Sequence, residues 1–254
     1  MSSELRLVDV RADVILEGVT EDLGQKAELL GQLTASKATG TLLRSTTSGL
    51  SITAMGGRSG TEHRLVGTHF WNPAHLMPVV EVIKGDDTPE ERMGWATELV
   101  KRIGKIPVRV EKGVPGVIGN RLLHALWREA IHLAETGVAS PADVDRVTLR
   151  TFGLRLPAVG PFANMGLVGL PLLAQIQAYL LADLSNAAGV MPAVRERLAT
   201  GHTGMRSDRG FHDWTTRDPA AVISRRDRQI VYQLRFSADP FNAGRPFPEV
   251  SLYL

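Results

Sequence analysis

The run Gly67-Thr68-His69-Phe70-Trp71-Asn72-Pro73-Ala74-His75-Leu76-Met77-Pro78-Val79-Val80-Glu81-Val82-Ile83 decides how this chain is read. An apolar stretch ends at His69. Asn72-Pro73 and Pro78 then force extended or turn backbone. Residues 79–83 form a second short, β-branched run with one carboxylate, Glu81, set inside it. The pattern is strand, loop, strand. A carboxylate in such a run is costly to bury without a partner, and His69 lies across the loop. A His–Glu pair holds the imidazole in one tautomer, which suits a general base. The plainer reading has His69 capping a loop and Glu81 facing water. The stretch alone leaves both open.

Upstream, residues 12–19 read as a buried strand. Thr20-Glu21-Asp22 caps a helix over 21–35, with acids in its first turn and Leu23, Leu29, Leu30 and Leu33 on one side. A strand over 41–46 runs into Ser45-Thr46-Thr47-Ser48-Gly49, followed by a short helix near 50–55. Residues 64–70 and 79–83 are the next strands. Thr88-Pro89-Glu90-Glu91 opens a helix with Thr88 as the cap, and Gly104 closes it. A strand over 106–110 follows. Strands alternating with helices predict a mainly parallel α/β sheet.

The pattern changes at Lys112-Gly113-Val114-Pro115-Gly116. Beyond it the periodicity predicts helices over 117–136, from Ser140 to Gly153, over 165–184, over 192–200 and over 219–234. The run 165–184 is apolar all round, which argues burial between helices or across a dimer seam. Residues 236–254, with three prolines, read as loop. The expected architecture is an α/β domain, a partial Rossmann-like parallel sheet, over 1–112, followed by an all-α helical domain over 113–254.

Composition narrows the function classes. The chain has 254 residues, a net charge of +2 and no cysteine. The small charge gives no argument for nucleic acid. The absence of cysteine excludes disulfides, cysteine-held zinc and a thiol nucleophile, and fits a cytoplasmic protein. No apolar run approaches the ~18 residues of a membrane span, and Met1-Ser2-Ser3-Glu4-Leu5-Arg6 lacks a signal-peptide core. His124 and His132 lie two helical turns apart, too far for one metal. Glu129 and His132 have the spacing of half a di-iron site with no second half, so no metal is expected.

Three blocks carry a family resemblance. His69-Phe70-Trp71-Asn72-Pro73 followed by Pro78-Val79-Val80-Glu81-Val82, the serine-rich segment 45–52, and Val114-Pro115-Gly116-Val117-Ile118-Gly119-Asn120-Arg121 resemble, in order and spacing, the L-3-hydroxyacyl-CoA dehydrogenase family. The resemblance implies an NAD-dependent oxidoreductase of fatty-acid metabolism that interconverts a 3-hydroxyacyl-CoA, or a related 3-hydroxy acid, and its 3-oxo form. It implies His69 as general base, Glu81 as its orienting carboxylate, Ser48 as hydrogen-bond donor to the substrate oxygen, and Asn120 as a substrate-positioning residue. For the cofactor it implies Glu21 and Lys26 near the nicotinamide ribose, with Ser48 and Asn72 beside the nicotinamide. Without the resemblance, Glu21 and Lys26 read as a solvated helix face. It also implies a homodimer through the helical domain. The segment 204–214 resembles the family's Gly-Lys-Gly-Arg-Gly-Phe-Tyr run, with Arg206 for Lys, Asp208 for Gly and His212 for Tyr. Gly49 stands for a usual serine.

The family's dinucleotide domain opens with a strand and a Gly-x-Gly-x-x-Gly turn that seats the pyrophosphate on a helix N-terminus. Gly56-Gly57-Arg58-Ser59-Gly60 does not follow a strand in that register. The chain therefore reads as starting just before the fourth strand of the usual order, with the strand at 14–19 as a hydrophobic edge. Three explanations compete: a truncated product or misplaced start of an ordinary dehydrogenase; a short homologue that uses the His69/Glu81 pocket for dehydration, enolisation or cyclisation of a 3-oxo or 3-hydroxy thioester; or a non-catalytic dimeric partner.

Overall fold

The computed structural model describes residues 12–35 and 40–236. The readings of residues 1–6 and of the tail after Phe236 lie outside the described residues. The chain divides into two compact units, Met1–Leu123 and His124–Leu254.

The first unit is an α/β layer structure. Its elements are β1 (Val14–Glu17), α1 (Leu23–Ala35), β2 (Leu42–Ser45), α2 (Ile52–Ser59), β3 (Leu65–Phe70), β4 (Val79–Ile83), α3 (Glu90–Arg102) and β5 (Ile106–Val110). The five strands lie in chain order, and every neighbouring pair is parallel except β3–β4, which is antiparallel. Side chains alternate across a strand, and the two faces separate cleanly. Leu43, Leu65 and Ile83 pack with Leu30 and Leu33 of α1 and with Ile52 and Met55 of α2. Leu42, Val66, Val80 and Val82 pack with Met93, Ala96 and Val100 of α3.

Local details depart from the sequence reading at several points. The first strand is shorter than expected because Glu17 turns its carboxylate back onto the Val19 amide at 2.7 Å. It lies at the sheet edge, and Leu16 is 53% exposed rather than buried. The first helix starts at Leu23, capped by Asp22, whose Oδ1 accepts the Gln25 amide at 2.8 Å, so no acid sits in its first turn. The second runs through Gly56 and Gly57 to a left-handed Gly60. Thr88 does not cap α3, where Pro89 holds that place without a side-chain bond. The Thr88 hydroxyl accepts the Gly85 amide and donates to the Leu65 carbonyl at 2.8 Å, pinning the β4–α3 turn to β3. Gly104, φ 76°, does close α3.

The second unit is helical. Helix α4 (Gly119–Glu135) enters it from the first, followed by α5 (Pro141–Arg150), α6 (Phe152–Arg155), α7 (Pro161–Val168), α8 (Leu170–Leu180), α9 (Pro192–Ala199) and α10 (Pro219–Phe236). The helix expected over 140–153 breaks at Thr151. The long apolar helix expected over 165–184 is two helices. Gly169 sits at φ 91°, a conformation that L side chains rarely adopt, and Pro171 cannot donate into a continuing ladder. Glu129 accepts the Ser185 amide at 2.8 Å, and His124 packs edge-on against Trp127. The 204–214 segment is a compact turn. Asp208 takes φ 60° where the family has glycine, and His212 pairs with Asp145 at 2.7 Å.

One side chain contradicts its surroundings. Arg44 of β2 is 4% exposed on the α3 face, and its Nε and Nη2 have no hydrogen-bond partner. The ring of Phe70, 6.0 Å from its Cζ, faces the cation. Burial pushes its pKa down. A buried unpaired charge is costly. Arg44→Met should therefore raise stability by about 1 kcal/mol or more, read as an upward shift of the urea midpoint at constant slope.

Candidate active site

The antiparallel β3–β4 ladder sets His69 directly opposite Glu81 on the face shared with α1 and α2. His69 Nδ1 and Glu81 Oε2 are 2.6 Å apart. The other oxygen, Oε1, accepts the amides of Ile118 at 3.1 Å and Gly119 at 3.0 Å, where α4 begins. Glu81 is 3% exposed, so the reading in which it faces water is overturned. Burial alone would push its pKa up. The hydrogen bonds from His69, Gly119 and Ile118, with the imidazole's charge, outweigh that and hold the carboxyl below the usual carboxylate range. An ionised Glu81 makes Nδ1 the N–H donor and leaves Nε2 with its lone pair.

The amides reach Glu81 through unusual backbone. Val117 sits at φ 51°, a strained region for a β-branched residue. Gly119 lies under the indole of Trp71, where a Cβ would come within 2.0 Å of Cζ2. The same indole stands 5.2 Å from the His69 ring. Trp71, Val117 and Gly119 are parts of the site that the sequence reading did not assign. The glycine beside Asn120 was the available signal.

Asn120 follows Gly119, and its Nδ2 donates to the Ser48 carbonyl at 2.9 Å. The first turn of α4 therefore ties the Glu81 carboxylate and the Ser48 turn through consecutive residues. Glu21 holds that turn from the other side. Its Oε1 accepts the Thr47 hydroxyl at 2.6 Å, the Ser48 amide at 2.7 Å and the Gly49 amide at 3.2 Å. Burial raises the Glu21 pKa, but these bonds and the Lys26 charge leave it lowered overall.

Lys26 is not on a solvated face. It is 1% exposed, with Nζ 2.8 Å from Glu17 Oε1, 3.0 Å from the Val19 carbonyl and 3.5 Å from Glu21 Oε2. Its ammonium is enclosed by protein, so it can act on a ligand only through Glu21. Asn72 stands apart from these contacts, exposed on the loop after β3, in a cis peptide with Pro73.

The residues fit the nicotinamide-ribose half of a dinucleotide. The Glu21 side chain is 45% exposed, and its Oε2 takes no hydrogen bond beyond the long Lys26 approach. The glycine cluster 56–60 is spent on the end of α2 and offers no phosphate turn. A cavity of about 570 Å³ lies at the amino ends of β1 and β2 against Trp95 and Leu99, and no candidate residue lines it.

A carboxylate whose folded pKa is lowered adds stability that is fully present above its unfolded pKa, about pH 4.3, and is lost as pH falls through the folded value. Glu81→Gln should flatten the acid limb of the melting temperature below about pH 5 while lowering it at neutral pH. A series of thermal melts across that range measures both effects.

Residues 1–113 match the family model described as 3-hydroxyacyl-CoA dehydrogenase, NAD binding domain, and residues 116–214 match its C-terminal domain. The chain is 34% identical over 220 residues to 5-formyl-3-hydroxy-2-methylpyridine 4-carboxylate 5-dehydrogenase of Mesorhizobium japonicum, covering 87% of this chain and 71% of that one. It is 33% identical over 204 residues to a probable 3-hydroxybutyryl-CoA dehydrogenase of Bacillus subtilis, covering 80% and 70%. It spans 50% of the length of other curated relatives. A crystal structure of the pyridine-carboxylate dehydrogenase, titled an NAD+ dependent dismutase, superposes with a TM-score of 0.85 at 33% identity, over 93% of this chain and 75% of that one. With the α/β layer, the helical unit and both family models in register, the chain belongs to the 3-hydroxyacyl-CoA dehydrogenase family of NAD-dependent dehydrogenases.

Proposed function

We propose that this chain oxidises the 3-hydroxyl of a 3-hydroxyacyl-CoA, or of a related hydroxy acid, and runs the reverse reduction. The observation that carries this reading is the His69–Glu81 pair, with both carboxylate oxygens saturated by His69, Ile118 and Gly119. Bound NAD supplies the hydride acceptor. The chain's own residues handle the proton and the oxygen. Glu81 keeps the N–H on Nδ1, so Nε2 takes the hydroxyl proton and carries it as imidazolium, stabilised by the adjacent carboxylate. Ser48, exposed on a turn fixed by Glu21 and Asn120, hydrogen-bonds the oxygen on which charge develops. Asn120 positions that turn and the substrate beside it. Glu21 Oε2 would accept a ribose hydroxyl of the bound cofactor, Lys26 would set Glu21 for it, and Asn72 would serve the nicotinamide. Residues 1–112 serve the cofactor, and residues 113–254 the substrate and dimerisation.

The likeness to the pyridine-carboxylate dehydrogenase, higher in identity and in coverage than that to the Bacillus protein, favours a second substrate reading. In it a hydroxymethyl group on an aromatic carboxylate, or a formyl group that has taken up water to become its hydrate, takes the place of the 3-hydroxyl. The same base serves, because in each a carbon bearing a hydroxyl loses hydride and that hydroxyl loses a proton, giving the aldehyde from the alcohol and the carboxylic acid from the hydrate.

NADH titration by calorimetry, followed by turnover of 3-hydroxybutyryl-CoA and of the pyridine aldehyde, tests the proposal. Binding is expected with wild type and with His69→Ala, and the variant's kcat should fall by roughly 10²–10⁴. A folded wild type that binds no NADH sinks the redox reading.

The helical unit forms a homodimer in the cytosol. Helices α5 to α9 bury no residue of their own, and Phe162, 87% exposed, and Leu167 stand open with Leu154 and Leu170. Apolar surface on that scale needs a cover, and no helix among the described residues is long and apolar enough to cross a membrane. Sedimentation velocity should give twice the chain mass, and Phe162→Glu should shift the species toward monomer.

A further inference from the structure

Five residues close a ring beneath the Ser48 turn, through their side chains and the Thr47 backbone amide. Glu17 Oε1 meets Lys26 Nζ at 2.8 Å, and Lys26 Nζ lies 3.5 Å from Glu21 Oε2. Glu21 Oε1 accepts the Thr47 hydroxyl at 2.6 Å. The Thr47 amide donates to Ser45 Oγ at 3.4 Å, and Ser45 Oγ donates to Glu17 Oε2 at 2.6 Å. The ring joins the ends of β1 and β2 to the first turns of α1, and Glu17, Lys26, Ser45 and Thr47 are all buried.

We propose that Glu17 is a positioning residue for the reaction: it touches no ligand, and it fixes the backbone turn that carries Ser48 through this ring. The assignment of Ser48 to the substrate oxygen rests on the reading under Proposed function. The positioning itself rests on the ring.

The physical argument concerns where Lys26 puts its charge. Its ammonium is buried and needs a carboxylate at contact distance. Glu17 is that carboxylate, at 2.8 Å, while Glu21 is held off at 3.5 Å. Glu21 is thereby left to spend Oε1 on the Thr47 hydroxyl and the Ser48 and Gly49 amides. Neutralising Glu17 leaves Lys26 with one nearby carboxylate, Glu21. The pair closes up, and Oε1 is drawn off the turn. The route through Ser45 weakens in the same direction, because an amide group at position 17 accepts from Ser45 less strongly than a carboxylate does.

The test uses the full chain and backbone amide hydrogen exchange, which needs neither cofactor nor turnover. In Glu17→Gln the Ser48 and Gly49 amides should exchange at least about tenfold faster, while Val66 and Val80 in the sheet keep their wild-type rates. Where turnover is measured, kcat should fall about tenfold, and the NADH dissociation constant should rise as Glu21 Oε2 closes onto Lys26. Unchanged exchange at Ser48 and Gly49 overturns the proposal. So does an equal acceleration at every amide, which marks a purely structural carboxylate. Should Glu17→Gln fail to fold, Ser45→Ala keeps both charges and opens only the second route. It should speed the same two amides by a smaller factor, and wild-type rates there would overturn the proposal. An inactive wild type that shows the expected exchange pattern removes the dehydrogenase reading and leaves the ring's role standing.

Discussion

A carboxylate buried in the middle of a sheet has to be fully satisfied or it unfolds what surrounds it. Glu81 meets that demand with three donors, and each donor imposes a further condition. His69 must stand opposite on β3, which the antiparallel ladder provides. The Ile118 and Gly119 amides must point inward, which requires Val117 to sit in the left-handed region. Trp71 must close over position 119, which only glycine allows. The order of the site thus spreads outward from one charge, and the strain at Val117 persists because Glu81 makes use of it.

Glu17 solves the same problem differently. It takes a full cation, Lys26, plus the Ser45 hydroxyl and the Val19 amide. Both carboxylates lie on the sheet face covered by α1 and α2. The α3 face has an apolar interior interrupted by Arg44 and Thr68, with Arg109 of β5 paired to Glu90 of α3 at its exposed margin. The sheet therefore separates tasks by side: one face carries polar networks that end at the ligand side, and the other carries packing. Arg44 is the exception: its guanidinium faces an aromatic ring and, among the described residues, no acid.

Much of this was legible in the sequence, and the misses have physical causes. The β-branched runs and proline punctuation located β3 and β4, and a lone acid among valines pointed to His69. Thr88 was misassigned because a threonine before Pro-Glu-Glu fits a cap equally well, whereas its hydroxyl is claimed by Gly85 and Leu65, distant in sequence or outside the helix. Lys26 read as solvated because helical periodicity shows only which face a residue shares. It cannot show that Glu17, nine positions earlier, waits under that face. The helix over 165–184 was read as continuous because hydrophobicity outvoted Gly169 and Pro171. Trp71 over Gly119 joins residues far apart in the chain, and no local pattern encodes such a contact.

The antiparallel pairing of β3 and β4 has a consequence for how such a protein can diverge. In a ladder of this kind, hydrogen bonds between the strands set which residue faces which. Burial of one face of each strand holds that register as well as the loop does. The exposed side chains of Asn72, Ala74 and His75 can therefore be replaced while His69 still faces Glu81. A parallel pair would need a long crossover in that place, and its changes would act on the sheet's packing. Here the base and its carboxylate are insulated from the segment beside them, so the surroundings of the reacting centre can be rewritten for new substrates while the proton chemistry is inherited intact.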